Sequence, residues 1–300
     1  MVCKGFVAGM LFASAVTMAL ASAPAGDQGK LTAAQVVDRN VAARGGLQAW
    51  RGVQSLQETG TMAAGGNDRA TQPVEVPGAK RPGKSMPLPA SPRLKEEAQL
   101  PFVMDLERPR KLRFELQFAG KTAVQVYDGA NGWKLRPYLN RLEVESYTED
   151  ELKSAAMQTE LDGPLVDYAA KGTKVELEGM EKVENHDTYN LKLTLKDGRA
   201  VHVWVDAQTF LETKIEGQPR RLDGKMHPVE VYYRDYRAVN GLQMPFVLET
   251  HVLAAGTGAA ASREPHYPAE KIAIEKIVVN PKLDASQFTK PQVQVAASHP

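Results

Sequence analysis

Leu112-Arg113-Phe114-Glu115-Leu116-Gln117-Phe118-Ala119-Gly120-Lys121-Thr122-Ala123-Val124-Gln125-Val126-Tyr127-Asp128-Gly129 is the stretch on which the fold turns. Leu112, Phe114, Leu116 and Phe118 alternate with Arg113, Glu115 and Gln117, the period of two that sends successive side chains to opposite faces of a strand. Ala119-Gly120 reads as a turn, and Val124 and Val126 against Gln125 and Tyr127 as the returning strand. Asp128-Gly129 and Asn131-Gly132 are further turn signals. Strands with one apolar and one polar face, joined by short turns, describe an antiparallel meander that buries one side.

The same pattern extends outward. Upstream, Phe102, Met104 and Leu106 oppose Val103, Asp105 and Glu107. Before them, Val53, Ser55 and Gln57 alternate with Gln54, Leu56 and Glu58 in a polar-tinted strand ending near Met62. Downstream a second meander opens with Val175 and Leu177, and continues with Leu191, Leu193 and Leu195. Asp197-Gly198 then turns the chain back into Val201, Val203 and Val205. Further strands are expected over 210–216, 226–236, 246–252 and 271–279.

Helices are few. Thr32 and Gln35 form a capping-box pattern for a helix over 33–43 that Gly45-Gly46 stops. A helical turn follows at 47–50, Thr148-Glu149-Asp150-Glu151 opens another helix, and 165–170, closed by Gly172, is expected as a third. The expected fold is therefore mainly β (α+β): a single curved antiparallel sheet of about ten strands, its apolar face covered by a few helices.

Between 63 and 99 the pattern collapses under Pro73, Pro77, Pro82, Pro87, Pro89 and Pro92 with several glycines. Such a tract offers too little apolar surface to offset its ordering entropy, so a mobile insertion is expected there. A flexible tail is expected over 291–300.

Residues 1–25 have the form of a cleavable secretory signal. Lys4 precedes an uncharged run, and small residues end it at Ala23 or Ala25, with Pro24 disfavouring the first site. The run is too short and too rich in Ala, Gly and Ser for a membrane span. Cys3 lies before the apolar run, so no lipobox is present and the expected product is a free, thiol-less periplasmic protein. The formal net charge of +1 falls to zero once Lys4 is removed, which excludes nucleic acid held by a basic face.

No catalytic signature stands out. The six histidines, His186, His202, His227, His251, His266 and His299, form no ligand-spaced pair, and each is expected at the surface. The Gly256-Thr257-Gly258-Ala259-Ala260-Ala261 run opens no helix, because Pro265 and Pro268 follow. Glu149/Asp150 and Glu96/Glu97 are more simply solvated charge than acid–base pairs. Neither catalysis, a metal nor a cofactor is expected.

What stands out is apolar surface on the strands. Phe102, Met104, Phe114, Leu116, Phe118, Val124, Val126, Trp133 and Leu135 form one set; Leu191, Leu193, Val203, Val205, Leu211 and Ile215 form another. Packed core and ligand cavity are both compatible with that pattern.

Val36-Val37-Asp38-Arg39-Asn40, Ala43-Arg44-Gly45-Gly46-Leu47, Val53-Gln54-Ser55-Leu56 and Gly60 open a set of matching pieces. Tyr127-Asp128-Gly129-Ala130-Asn131-Gly132-Trp133, Gly163-Pro164-Leu165-Val166-Asp167-Tyr168 and Val203-Trp204-Val205-Asp206 before Leu211 continue it. Asp235-Tyr236-Arg237, Asn240-Gly241-Leu242, Met244-Pro245, Val279-Asn280, Leu283-Asp284 and Phe288 complete it. In these the chain resembles outer-membrane lipoprotein-sorting proteins, relatives of the lipoprotein carriers LolA and LolB, over nearly all of 26–290.

The resemblance implies an unclosed barrel, with helices as a lid over an apolar cavity that takes acyl chains. Cavity lining would fall to Phe102, Met104, Phe114, Leu116, Phe118, Val124, Val126, Trp133, Leu191, Leu193, Val203 and Val205, with Arg44 a candidate lid residue. The function so implied is a monomeric periplasmic carrier of lipid, lipoprotein acyl chains or a similar apolar ligand. Such a shuttle would meet an inner-membrane transporter or an outer-membrane acceptor. The alternatives are an envelope sensor or scaffold that binds a protein partner, and a hydrolase with residues scattered over the fold.

Overall fold

Thr32 opens the first regular element by capping it. Its hydroxyl accepts the N–H of Gln35 while the Gln35 side chain accepts the N–H of Thr32, which fixes the start of α1 (Ala33–Ala43). Gly45 and Gly46, both at positive φ, end it and lead into α2 (Leu47–Arg51), whose Trp50 is buried. The computed structural model describes residues 31–65, 97–137, 141–222, 224–256 and 267–292. The expected signal segment, residues 66–96 of the expected insertion and the end of the tail lie outside the described residues.

Fifteen strands follow among the described residues. The first meander is β1 (Ser55–Gly65), β2 (Glu97–Glu107), β3 (Lys111–Phe118), β4 (Lys121–Tyr127), β5 (Gly132–Arg136) and β6 (Arg141–Ser146). After α3 (Glu149–Gln158) come β7 (Lys174–Val183), β8 (His186–Thr194), β9 (Ala200–Asp206) and β10 (Glu212–Glu216). A small hairpin, β11 (Arg220–Leu222) with β12 (Lys225–His227), precedes β13 (Val229–Val239), β14 (Leu242–Val252) and β15 (Glu270–Val279).

Thirteen of these form one curved antiparallel sheet in the order β6-β5-β4-β3-β2-β1-β15-β14-β13-β10-β9-β8-β7. The two meanders meet along β1 and β15, where Leu56 pairs with Val279 and Met62 with Ile272. Among the described residues no strand joins β6 to β7, so the sheet is an unclosed barrel. The count exceeds the expected ten chiefly because β5 and β6 were invisible in sequence. The first is five residues long, and the second reads Arg-Leu-Glu-Val-Glu-Ser, the charged composition of an edge strand.

Parity defines two faces. Leu56, Glu58, Gly60 and Met62 of β1 pair with Leu106, Met104, Phe102 and Leu100 of β2, all on the inner face. Leu112, Phe114 and Leu116 extend that face on β3; Ile277, Ile274, Leu242, Met244 and Phe246 extend it on β15 and β14. Trp50, Ala155, Leu161 and Val166 cluster with them, so α2, α3 and the segment after α3 cover this face.

That segment corrects one expectation. Residues 165–170 are a run of turns, not a helix. Gly163 and Asp167 adopt positive φ there, which interrupts any helical path. Because it links β6 at one edge to β7 at the other, the segment crosses the inner face as a strap. On the outer face, a 3-10 turn at Ala285–Phe288 lies against β3, with Phe288 buried and the Arg113 guanidinium donating to the Gln287 carbonyl.

Many residues that carry the resemblance are turn and strand-end fasteners. Asp128 accepts the N–H groups of Ala130 and Asn131 between β4 and β5. Asp206 does the same for Gln208 and Thr209 after β9. The Asn280 side chain accepts from Gln54 and Ser55, locking the end of β15 to the start of β1.

Candidate functional site

Burial along the inner face is graded. Near α2 and the strap, Leu56, Leu106, Leu112, Ile277, Leu242 and Met244 are buried. Toward the opposite end, Met62, Leu100, Met104, Phe114, Leu116, Leu248 and Ile272 are only half-buried. This half-buried apolar row is surface that the helices among the described residues cover only in part. A separate open cleft of about 460 Å³ lies at the β3–β4 turn, where Gln99, Gln117, Lys121 and Thr122 line it together with Leu100 and Phe118.

Phe102, Met104, Phe114 and Leu116 come together on this face, with the rings of Phe102 and Phe114 stacked at 5.7 Å. Val124, Val126 and Trp133 do not join them. The β3–β4 hairpin pairs Phe118 with Lys121 and therefore Leu116 with Ala123, which turns Val124 and Val126 to the outer face opposite Glu115 and Arg113. Trp133 pairs with Val126 and shares that outer face. A one-residue difference in register exchanges the faces of a whole strand.

Leu191, Leu193, Val203 and Val205 lie side by side in β8 and β9, and all four are completely buried. The neighbouring β7 contacts α1, whose Val36, Val37 and Asn40 are also buried. The inner face therefore has a packed half, β7 to β10, and a half-covered one around β1 to β3 and β14–β15.

Arg44, at the C-cap of α1, is buried. Its Nη1 donates to the Asp162 carbonyl at 2.8 Å and meets Glu212 Oε1 at 3.2 Å, while its guanidinium stacks 4.3 Å from the Trp50 ring centroid. It thus ties α1 to the strap and to β10. Arg108 and Lys171 pair with the Asp162 carboxylate at 2.8 and 2.7 Å, and Arg51 with Asp167 at 2.6 Å. Burial would raise the pKa of Asp162, but the hydrogen bonds from Lys171 and Arg108 outweigh it and hold the carboxyl below its usual range. The strap is fastened ionically across its length.

Glu58 is one of the polar alternates of β1 in the sequence pattern. It faces inward between Met104 and Ile277, is 9% exposed, and burial alone pushes its pKa up to about 7. The signal that could have found it is its spacing of two from Leu56, which puts a carboxylate on the apolar face.

Among the described residues no group of three His, Cys, Asp or Glu side chains is placed to hold a metal ion. The histidines are not uniformly at the surface: His227 is 1% exposed, its Nδ1 at 2.9 Å from the carbonyl of Leu253, the residue just after β14. His202 lies between Glu216 and Glu178, at 2.7 and 3.3 Å. His266 and His299 fall outside the described residues.

No family model matches the chain, and no curated protein sequence matches it. In fold it is similar to a LolA superfamily protein from Nitrosomonas europaea, with a TM-score of 0.48, 13% identity, and coverage of 87% of this chain and 99% of that one. It is also similar to a DUF1329 family protein from Desulfovibrio piger, with a TM-score of 0.47, 12% identity, and 86% and 97% coverage. An outer membrane lipoprotein-sorting protein domain from Vibrio parahaemolyticus matches with a TM-score of 0.47, 12% identity, and 85% and 95% coverage. These are the kinds of protein the sequence resembles. The fold assignment itself rests on the sheet order and strand registers above, and likeness at this level says nothing of a ligand.

Proposed function

We propose that this chain is a non-catalytic periplasmic binder or carrier of a lipid, a lipoprotein acyl group or a similar apolar ligand. The observation that carries this reading is the half-buried row Met62, Leu100, Met104, Phe114, Leu116, Leu248 and Ile272, which the helices and strap leave partly open to water. An alkyl chain laid on that row would gain about 0.8 kcal/mol for each CH₂ it buries. Binding of this kind needs no cofactor and no covalent step. Arg44 and the strap would form the fastening that must loosen for a chain to enter or leave beneath them.

The test is direct. The mature protein is purified from the periplasm without detergent and extracted with organic solvent. Stoichiometric lipid in the extract is the expected result; a protein that is empty, and that takes up no alkyl ligand when offered one, overturns the reading.

A second reading, a scaffold that binds a protein partner, is supported by the two unpaired edges. Leu142 on β6 and Met180 on β7 are each 58% exposed, and an extended segment could add to either strand. A specific partner captured by an empty protein would favour it.

A further inference from the structure

Glu58 has no structural employment. It takes no hydrogen bond and no ion pair among the described residues. Leu56 precedes it on the same face and is buried in the core; Met62 follows and is half-buried. Cross-strand, it faces Ile277 on the packed side and half-buried Met104 on the other. The carboxyl therefore stands where the packed part of the inner face gives way to the open part. A leucine at this position would stabilise the core by its burial, whereas an unpaired buried carboxyl costs free energy. The group has an unused hydrogen-bonding capacity directed at the surface on which an apolar ligand would lie.

From this position we infer that Glu58 is the polar anchor of the apolar site and selects amphiphiles whose head carries a hydrogen-bond donor, an alcohol or an amine, over chain-matched esters and fatty-acid carboxylates. The inference rests on the binding function proposed above. The chain of such a ligand covers Met104, Phe114 and Leu116, and its donor head meets the Glu58 carboxyl. An ester offers no donor, and a fatty-acid carboxylate would place a second acid beside the first. Neither satisfies the group, and the second adds repulsion.

The experiment is run near pH 8.5, above the pKa of about 7, so that Glu58 is a carboxylate that only accepts, and uses the mature protein with four ten-carbon probes below their micellar concentrations: decanol, decylamine, decanoate and methyl decanoate. Calorimetric titration is expected to show decanol and decylamine binding about tenfold or more tightly than methyl decanoate and decanoate, the ratio a buried charge-assisted or neutral hydrogen bond supports. Glu58→Leu is expected to abolish the preference while keeping the ester, and Glu58→Gln, which is isosteric but uncharged, is expected to lose the discrimination against decanoate. Unfolding curves check that both variants fold. Equal binding of all four probes by the wild type, or a preference that survives in Glu58→Leu, overturns the inference and leaves the binding function standing. Failure of every probe to bind overturns both.

Discussion

Arg44 and Glu212, 168 positions apart in the chain, form an ion pair at 3.2 Å inside the protein, between the end of α1 and the start of β10. Glu212 also accepts from the Tyr236 hydroxyl at 3.3 Å, and the Arg44 carbonyl accepts from the Trp50 indole and the Gln243 amide. The pair is thus embedded in a network that holds helix, strap and sheet together.

Removing one partner strands the other. Arg44→Met leaves the Glu212 carboxylate buried without its cation, an expected loss of about 3 kcal/mol in denaturant unfolding. The double variant Arg44→Met/Glu212→Leu is expected to regain most of it, because both buried charges are gone. A double variant no better than the single one would show that the pair is not where the cost lies.

Asp162 gives an acid-sensitive fastening. Its folded pKa is depressed, so its contribution is present above the unfolded value near 3.8 and disappears as pH falls through the lower folded value. Asp162→Asn is expected to cost about 2 kcal/mol at pH 7, where it removes hydrogen bonds to two cations. The gap between variant and wild type should close at acid pH. Unfolding free energies at pH 7 and below pH 3 measure it.

Glu58 predicts the opposite slope. Its folded pKa is raised from 4.5 to about 7, so the folded state holds the proton longer than the unfolded one. Stability is undiminished below about 4.5 and is lost as pH rises through 7. Glu58→Gln should therefore match wild type near pH 4 and exceed it by about 3 kcal/mol at pH 8. Parallel stability profiles for the two proteins would contradict this.

The two halves of the inner face should respond differently to truncation. Leu191→Ala, in the packed half, is expected to cost about 2–5 kcal/mol of stability. Phe114→Ala, in the half-covered part, should cost less than Leu191→Ala yet weaken binding of an alkyl probe, because part of that ring faces the open row. Thermal unfolding and probe titration on the same two variants separate the effects.

The elements legible in the sequence are those whose causes are local. Thr32 and Gln35 announced α1, and Thr148 with Glu151 announced α3, where the structure repeats the same reciprocal capping. Alternation found β1 to β4 and the C-terminal strands. What stayed hidden depends on register or on distant partners. Val124 and Val126 were placed with Phe114 because nothing in the sequence says that the Ala119-Gly120 turn pairs Leu116 with Ala123. The strap looked helical because the carboxylates that hold it, Asp162 and Asp167, find their cations on Arg108, Lys171 and Arg51 only after folding. Of the candidate site, the β2–β3 residues were correctly grouped by alternation, while Glu58 passed as an ordinary polar position on a strand whose two faces both carry polar residues.

The seam between β1 and β15 has a consequence for how the molecule can be made. Leu56 lies near the start of the described chain and its partner Val279 near the end, yet their strands are the middle of the sheet. A polypeptide still lacking β15 has two long raw edges at its centre, β1 and β14, in addition to the two at its margins. Each meander holds its own strands, but the two cannot be joined until β15 has been made, so the sheet is not continuous before the C-terminal strand is present. Closure waits for the last strand to arrive, and a chain handed over unfinished is one with its stickiest surfaces uncovered.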